Sequence, residues 1–148
     1  MNTLTRGLLA GAAGTLALDV TTYLDMAVRG RPASRTPEQT VQRLADIVRL
    51  DLGTGDRAES RRTALGALLG YATGLGVALG YTLAVRRPQP VPVTAGLLTV
   101  LAMTGANGPM TLLGITDPRT WKAIDWVADV VPHLAYGVVA GSVARRLR

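Results

Sequence analysis

Four side chains able to do acid–base work fall in one stripe near the end of the chain. Asp125, Asp129 and His133 are spaced by four residues, and Tyr136 follows three later. On a helix they would share one face, bringing together two carboxylates, the only histidine and a phenol. An imidazole changes protonation near neutral pH, and a neighbouring carboxylate sets its tautomer. Asp19 is the matching acid in an earlier apolar segment, and Asn107 supplies an amide in another. Such an intramembrane polar cluster of Asp19, Asp125, Asp129, His133, Tyr136 and Asn107 has two readings. One is a proton or cation path along Asp19, Asp129 and His133. The other, which the pattern favours, is a polar clasp that fixes helix register. One histidine cannot supply two axial ligands, and two aspartates with one histidine at this spacing make a weak metal set, so no metal and no cofactor are expected. Cysteine is absent, which excludes disulfides and thiolate chemistry.

The elements that must position these groups are apolar and long. Residues 4–28, 63–85, 93–115 and 124–144 form four such segments, each able to cross a hydrocarbon core that takes about 20 helical residues. Neither the second nor the third holds a charged residue, so they lack the polar stripe of a soluble helix. Their ends are punctuated by Arg29 to Pro32, Arg61 and Arg62, Arg86 to Pro88, Asp117-Pro118 and the arginines at the end of the chain; Trp121, Trp126 and Tyr23 lie where amphipathic rings favour the interface. The start of the chain offers no small-x-small cleavage site, so its apolar run is taken as a span and not a cleaved signal. The fold class expected is an all-α integral membrane protein, a single domain over residues 1–148. It has four transmembrane helices and a short amphipathic helix between the first and second.

That short helix is placed at residues 37–50. Thr36 would be its N-cap, Pro37 its first residue, and Gln39 the partner in a capping box. Val41, Leu44, Ile47 and Val48 then share a face that could lie in the membrane interface or pack on the bundle. Residues 51–60, with Gly53 and Gly55, are expected to form a loop.

Glycine spacing carries the packing information. Gly66, Gly70 and Gly74 repeat every four residues in the second span, Gly137 and Gly141 in the fourth, and Gly7, Gly11 and Gly14 form a similar face in the first. Small residues let helix backbones approach closely in lipid. These faces could seal the bundle or join copies of it. The run from Gly105 to Pro109 in the third span predicts a kink near mid-membrane, with Asn107 serving the freed backbone groups.

Depth arithmetic couples two of the ionisable groups. Asp19 is nine residues from Val28 and His133 is nine from Ile124, so each lies roughly 14 Å below the same membrane face. If the first and fourth spans are neighbours, Asp19 and His133 should pair across them, with Asp129 as a second acceptor.

The 148 residues carry a formal charge of +6, and every basic residue but Lys122 is Arg. The charges flank apolar runs and form no single stripe with aromatics, so nucleic acid is not an expected partner. The bilayer and its anionic lipids are. Four spans put both termini on one side, with Arg6, Arg86, Arg87, Arg145, Arg146 and Arg148, against ten basic residues on the other. That count favours cytoplasmic loops. The habit of even-span proteins favours cytoplasmic termini, which we adopt, and insertion in both senses stays open. Arg-rich usage suits a bacterium with a GC-rich genome, hence a multi-pass protein of the bacterial cytoplasmic (inner) membrane.

Gly114-Ile-Thr-Asp-Pro118, Trp121, His133-Leu-Ala-Tyr-Gly137 with Gly141, and the opening Arg6-Gly-Leu-Leu-Ala-Gly11 resemble the YagU-type family of uncharacterised bacterial inner-membrane proteins. The resemblance covers about a third of the chain, mainly toward its C-terminal end. It implies a small multispanning helical protein and adds no chemistry. With no phosphate-cradling loop and no nucleophile elbow, the chain is expected not to be an enzyme. The function expected is a structural or accessory membrane subunit packing through glycine-rich helix faces, as a homo-oligomer or within a larger complex. The alternative is a small transporter or channel using the Asp19, Asp129 and His133 path.

Overall fold

The computed structural model describes residues 1–148 and is all-helical. Five α-helices follow in order: α1 Thr3–Arg29, α2 Thr36–Val48, α3 Gly55–Ala84, α4 Val91–Leu112 and α5 Ala123–Arg146, with one 3₁₀ turn at Pro118–Thr120. α1, α3, α4 and α5 are each long and apolar enough to cross a membrane. They fit a multi-pass membrane protein, and α2 lies between the first and second of them. The bundle closes in the order α3, α1, α5, α4, with α3 and α4 meeting more loosely. Both chain termini sit at one end, called the terminal end below; α2 and the turn after α4 sit at the other, the loop end.

Local chemistry explains most boundaries. Asn2 caps α1 by accepting from the Thr5 backbone N–H at 2.8 Å, and Gly30 ends it with φ 61°, a left-handed turn that suits glycine. α3 begins eight residues earlier than the expected span. Residues 55–60 are helical and not loop: Thr54 enters in extended geometry, Asp56 sits in the first turn, where a carboxylate favours the helix dipole, and Ala58 is buried. At 30 residues α3 is about 45 Å long, more than a hydrocarbon core of about 30 Å. Its first turns therefore stand clear of the spans, beside α2.

α2 corrects the expected cap. Thr36 is its first helical residue, Arg35 is the N-cap without a side-chain bond, and the capping box through Gln39 does not form. Ser34 Oγ accepts from the Thr36 backbone N–H instead, and the Thr40 hydroxyl donates to the Thr36 carbonyl. The apolar face divides between two neighbours. Val41 and Ala45 pack with Leu52 in a small core, whereas Leu44, Ile47 and Val48 stay exposed. Gln42 accepts from Arg62 at 3.1 Å and tethers α2 to α3.

The glycine faces seal the bundle. An added Cβ at Gly7 or Gly11 would strike Leu79 or Leu75 of α3; at Gly14 it would lie 2.7 Å from the Tyr136 ring and 2.8 Å from Ala140 Cβ. Gly137 faces the α4 backbone at Ala95 and Thr99, and Gly141 faces Thr94. The Gly66, Gly70, Gly74 face is not one interface: Gly66 receives Pro37 of α2, Gly74 receives Thr15 of α1, and Gly70 meets nothing within 4 Å. Ala10, Ala78, Tyr81, Leu98, Ala102, Tyr136, Ala140 and Ala144 form the main core between these seams. Pro109 lies in the last turn of α4, so the expected mid-membrane break falls near the loop end. Pro132, inside α5, is the proline nearer the middle of its span.

Candidate functional site

The expected polar cluster separates, and of its six residues only Asn107, Asp129 and His133 stay together. Their centre is Asp129 on α5. Asn107 Nδ2 of α4 donates to Asp129 Oδ2 at 2.9 Å, and His133 Nδ1 lies 2.7 Å from the Asp129 carbonyl and 3.6 Å from Asp129 Oδ1. A carbonyl only accepts, so Nδ1 must carry the proton, which leaves Nε2 as the acceptor of the neutral ring. Pro132 has no N–H to offer the Ala128 carbonyl four residues back, so the helix ladder is interrupted one residue before the Asp129 carbonyl that the His133 ring meets. His133 is buried, and the Asp129 side chain is 18% exposed. Asn107 meets a carboxylate on a neighbouring helix and not the backbone groups freed by Pro109. The chemical capacity of the trio is an interhelical bond between α4 and α5, with one titratable ring attached.

Tyr136 belongs to a different group. Its ring lies on Gly14 of α1 and its hydroxyl donates to the Gly74 carbonyl of α3 at 2.5 Å. One buried side chain thus joins three helices across the diagonal of the bundle. This contact depends on two glycines that leave room for the ring.

Asp125 leaves the cluster altogether. Its carboxylate accepts from the Lys122 backbone N–H at 2.9 Å and caps the start of α5 at the exposed loop end. Its spacing to Asp129 placed it on the right face but too near the helix start to be inside the membrane. Asp19 is half-buried on α1 and turned toward Tyr71 of α3. It makes no ion pair with His133, whose nearest carboxylate is that of Asp129. α1 and α5 are neighbours as expected, but matching depth fixes height only; the rotation of α1 points Asp19 away from α5.

The loop end carries its own electrostatics. Asp25 pairs with Arg29 at 3.5 Å and with Arg31 at 2.5 Å. Asp117 starts the 3₁₀ turn by accepting from the Arg119 backbone N–H and pairs with the Arg119 guanidinium at 2.9 Å. The Arg119 side-chain hydrogen bond holds the Asp117 carboxyl below its ordinary range, and the same bond raises Arg119. Trp121 donates to the Thr116 hydroxyl and meets Trp126 edge-on at 5.0 Å.

Two features escaped the sequence. The Tyr136–Gly74 bond needs two helices whose adjacency no spacing reveals, although a phenol within an apolar segment was a signal. The crevice at the terminal end, lined by Arg6, Arg145, Tyr81 and Thr94 among others, draws on all four spans, and nothing in the local pattern announces it. No family model, curated protein or solved structure matches this chain, so nothing supports assignment to the YagU-type family beyond the short motifs that suggested it.

Proposed function

We propose that the protein is a non-catalytic structural or accessory subunit of the bacterial cytoplasmic membrane, a four-span bundle that packs against itself or within a larger membrane complex. The observation that carries this reading is the outer face of α3. Ala72, Gly76 and Gly80 repeat every four residues, all three are exposed, and neither glycine has any atom within 4 Å of an added Cβ. The bundle's own seams already use Gly7, Gly11, Gly14, Gly74, Gly137 and Gly141. A smooth strip left on the outside of a span suits close approach by another helix. The strip replaces the Gly66, Gly70, Gly74 face expected from spacing, since two of those glycines are occupied within the chain. The polar groups of the spans support the same reading, because Asn107, Asp129, His133 and Tyr136 are bonded to one another or to backbone. Anionic lipids are the remaining partner, and the termini are taken as cytoplasmic.

Cross-linking and native mass spectrometry in lipid nanodiscs test this. Gly76→Leu with Gly80→Leu should abolish the assembly while leaving monomer helicity and melting unchanged. A wild-type protein that is monomeric and carries no partner out of its native membrane would overturn the proposal. A second reading, a small proton or cation carrier, draws on the Asp129–His133 pair inside the span. Proton or cation flux in proteoliposomes that disappears in Asp129→Asn would favour it over the subunit reading.

A further inference from the structure

The terminal end of the bundle is a concentration of uncompensated positive charge. Arg6, Arg86, Arg87, Arg145, Arg146 and Arg148 all lie there, and every Asp and Glu lies in the loop-end half or beyond it. The ion pairs of the molecule, Asp25 with Arg29 and Arg31 and Asp117 with Arg119, are likewise elsewhere, as is the Asp129–His133 contact. Three of these arginines, Arg6 on α1, Arg145 on α5 and Arg148 just beyond it, converge on one crevice whose wall includes Tyr81 of α3 and Thr94 of α4. The crevice has a volume of about 10 Å³, room for one water-sized oxygen.

Donors in this crevice lack strong acceptors. Arg6 Nε is shielded from solvent and has no hydrogen-bond partner. Arg145 reaches only the Gln89 carbonyl, at 3.4 Å, and Arg148 only the Val85, Arg86 and Arg87 carbonyls, at 3.1 to 3.4 Å. These are long bonds to neutral oxygens, whereas a guanidinium makes its short, strong bonds to carboxylate or phosphate. A buried guanidinium donor without an acceptor is unfavourable, and an anionic oxygen placed in the crevice would satisfy it. The Tyr81 and Thr94 hydroxyls bond each other at 3.0 Å, which leaves one neutral O–H on the wall free to donate. The crevice also stands at the level where span ends meet headgroups, between the first turn of α1 and the last turn of α5.

We propose that this crevice binds a phosphate group, one oxygen entering to meet Arg6 Nε while Arg145 and Arg148 hold the rest at the surface. The group can come from the headgroup of an anionic phospholipid or from a free phosphate, and the membrane position favours the lipid.

Native mass spectrometry of the detergent-solubilised full chain, titrated with phosphatidylglycerol, phosphatidylcholine or inorganic phosphate, tests this. One phosphatidylglycerol should bind in preference to phosphatidylcholine. Loss of a charge-assisted bond should weaken it about tenfold or more in Arg6→Gln and in Arg145→Gln. Arg43→Gln, an exposed arginine at the loop end, should leave it unchanged. Arg6→Lys keeps the charge and removes the Nε donor, and it should show the same loss with unaltered melting, which separates binding from folding. Inorganic phosphate binding with the same arginine dependence would support the site and identify free phosphate as its source. Wild-type affinity in Arg6→Lys, or an equal loss in Arg43→Gln, would overturn the proposal and leave only diffuse attraction between a basic surface and anionic lipid.

Discussion

Gly137 offers the clearest test of how the bundle is held together. An alanine there would set its methyl carbon 2.9 Å from the Thr99 backbone nitrogen and nearer still to the Ala95 carbonyl and the Thr99 hydroxyl. Non-bonded heavy atoms sit comfortably at about 3.5 Å or more, so α4 would have to retreat from α5 by roughly half an ångström or more. The opposing atoms are mostly backbone and cannot swing aside. Such overpacking costs about 1–3 kcal/mol. The better helix propensity of alanine returns at most about 1 kcal/mol on aqueous scales, leaving a net loss on the order of 1–2 kcal/mol. Gly70→Ala is the internal control. It has the same chemistry and also lies in a span, but it meets nothing within 4 Å, so its stability should be unchanged or slightly higher. Both variants can be followed by reversible unfolding in mixed micelles, using far-ultraviolet circular dichroism and the fluorescence of Trp121 and Trp126. An unfolding midpoint for Gly137→Ala equal to that of wild type, or a Gly70→Ala as destabilised as Gly137→Ala, would refute the assignment of the glycine seams.

The Asn107–Asp129 bond should appear in a double-mutant cycle, Asn107→Ala with Asp129→Ala, as a coupling of about 0.6–1.7 kcal/mol, the range of interhelical polar contacts in membranes. Asp19→Asn with His133→Gln should be additive, because the structure does not pair them; a coupling as large as that of Asn107 with Asp129 would contradict the placement of Asp19. Tyr136→Phe should lose about 1 kcal/mol through the missing bond to Gly74 while the ring keeps its seat on Gly14, and a melting temperature identical to wild type would argue against that bond. Asp117 has a lowered pKa, so its pairing with Arg119 is complete above the ordinary carboxylate range and is lost as pH falls through the depressed value. Carboxyl carbon titration by NMR should give a midpoint below the ordinary aspartate range that rises in Arg119→Ala, and an unmoved midpoint would remove Arg119 as the cause. A spin label at Val41 should be immobile and one at Ile47 accessible to oxygen from the lipid phase, following their exposures of 7% and 60%; equal mobility at the two sites would show that α2 is not docked on α3.

Sequence alone determined the number of spans and the helix between the first two. Twenty apolar residues without a charge have few ways to satisfy their backbone in lipid other than a helix, and Pro37 with the alternating faces of Val41 and Arg43 marked a short amphipathic one. Boundaries drifted where two signals competed: Gly53 and Gly55 suggested a loop, yet Asp56 and the burial of Ala58 extend α3 back through residues 55–60. Spacing proposed glycine faces but could not assign their partners. Gly66 takes Pro37, Gly74 takes Thr15, and Gly70 takes nothing, although the three share one repeat.

Tertiary structure decided everything that depends on rotation about a helix axis and on which helices are neighbours. In water a helix reports its orientation, because its polar face must point out. In lipid every face of a span can be apolar, so the sequence places a residue in depth and leaves its azimuth open. Asp19 and His133 match in depth and point to different helices, Asp125 lies on the face of Asp129 but caps the helix start, and Tyr136 leaves the histidine to reach Gly74. The crevice around Arg6 needs the ends of four helices and a loop at once. Only packing of backbone against backbone, made possible by glycines at chosen heights, selects which of the faces offered by the sequence meet.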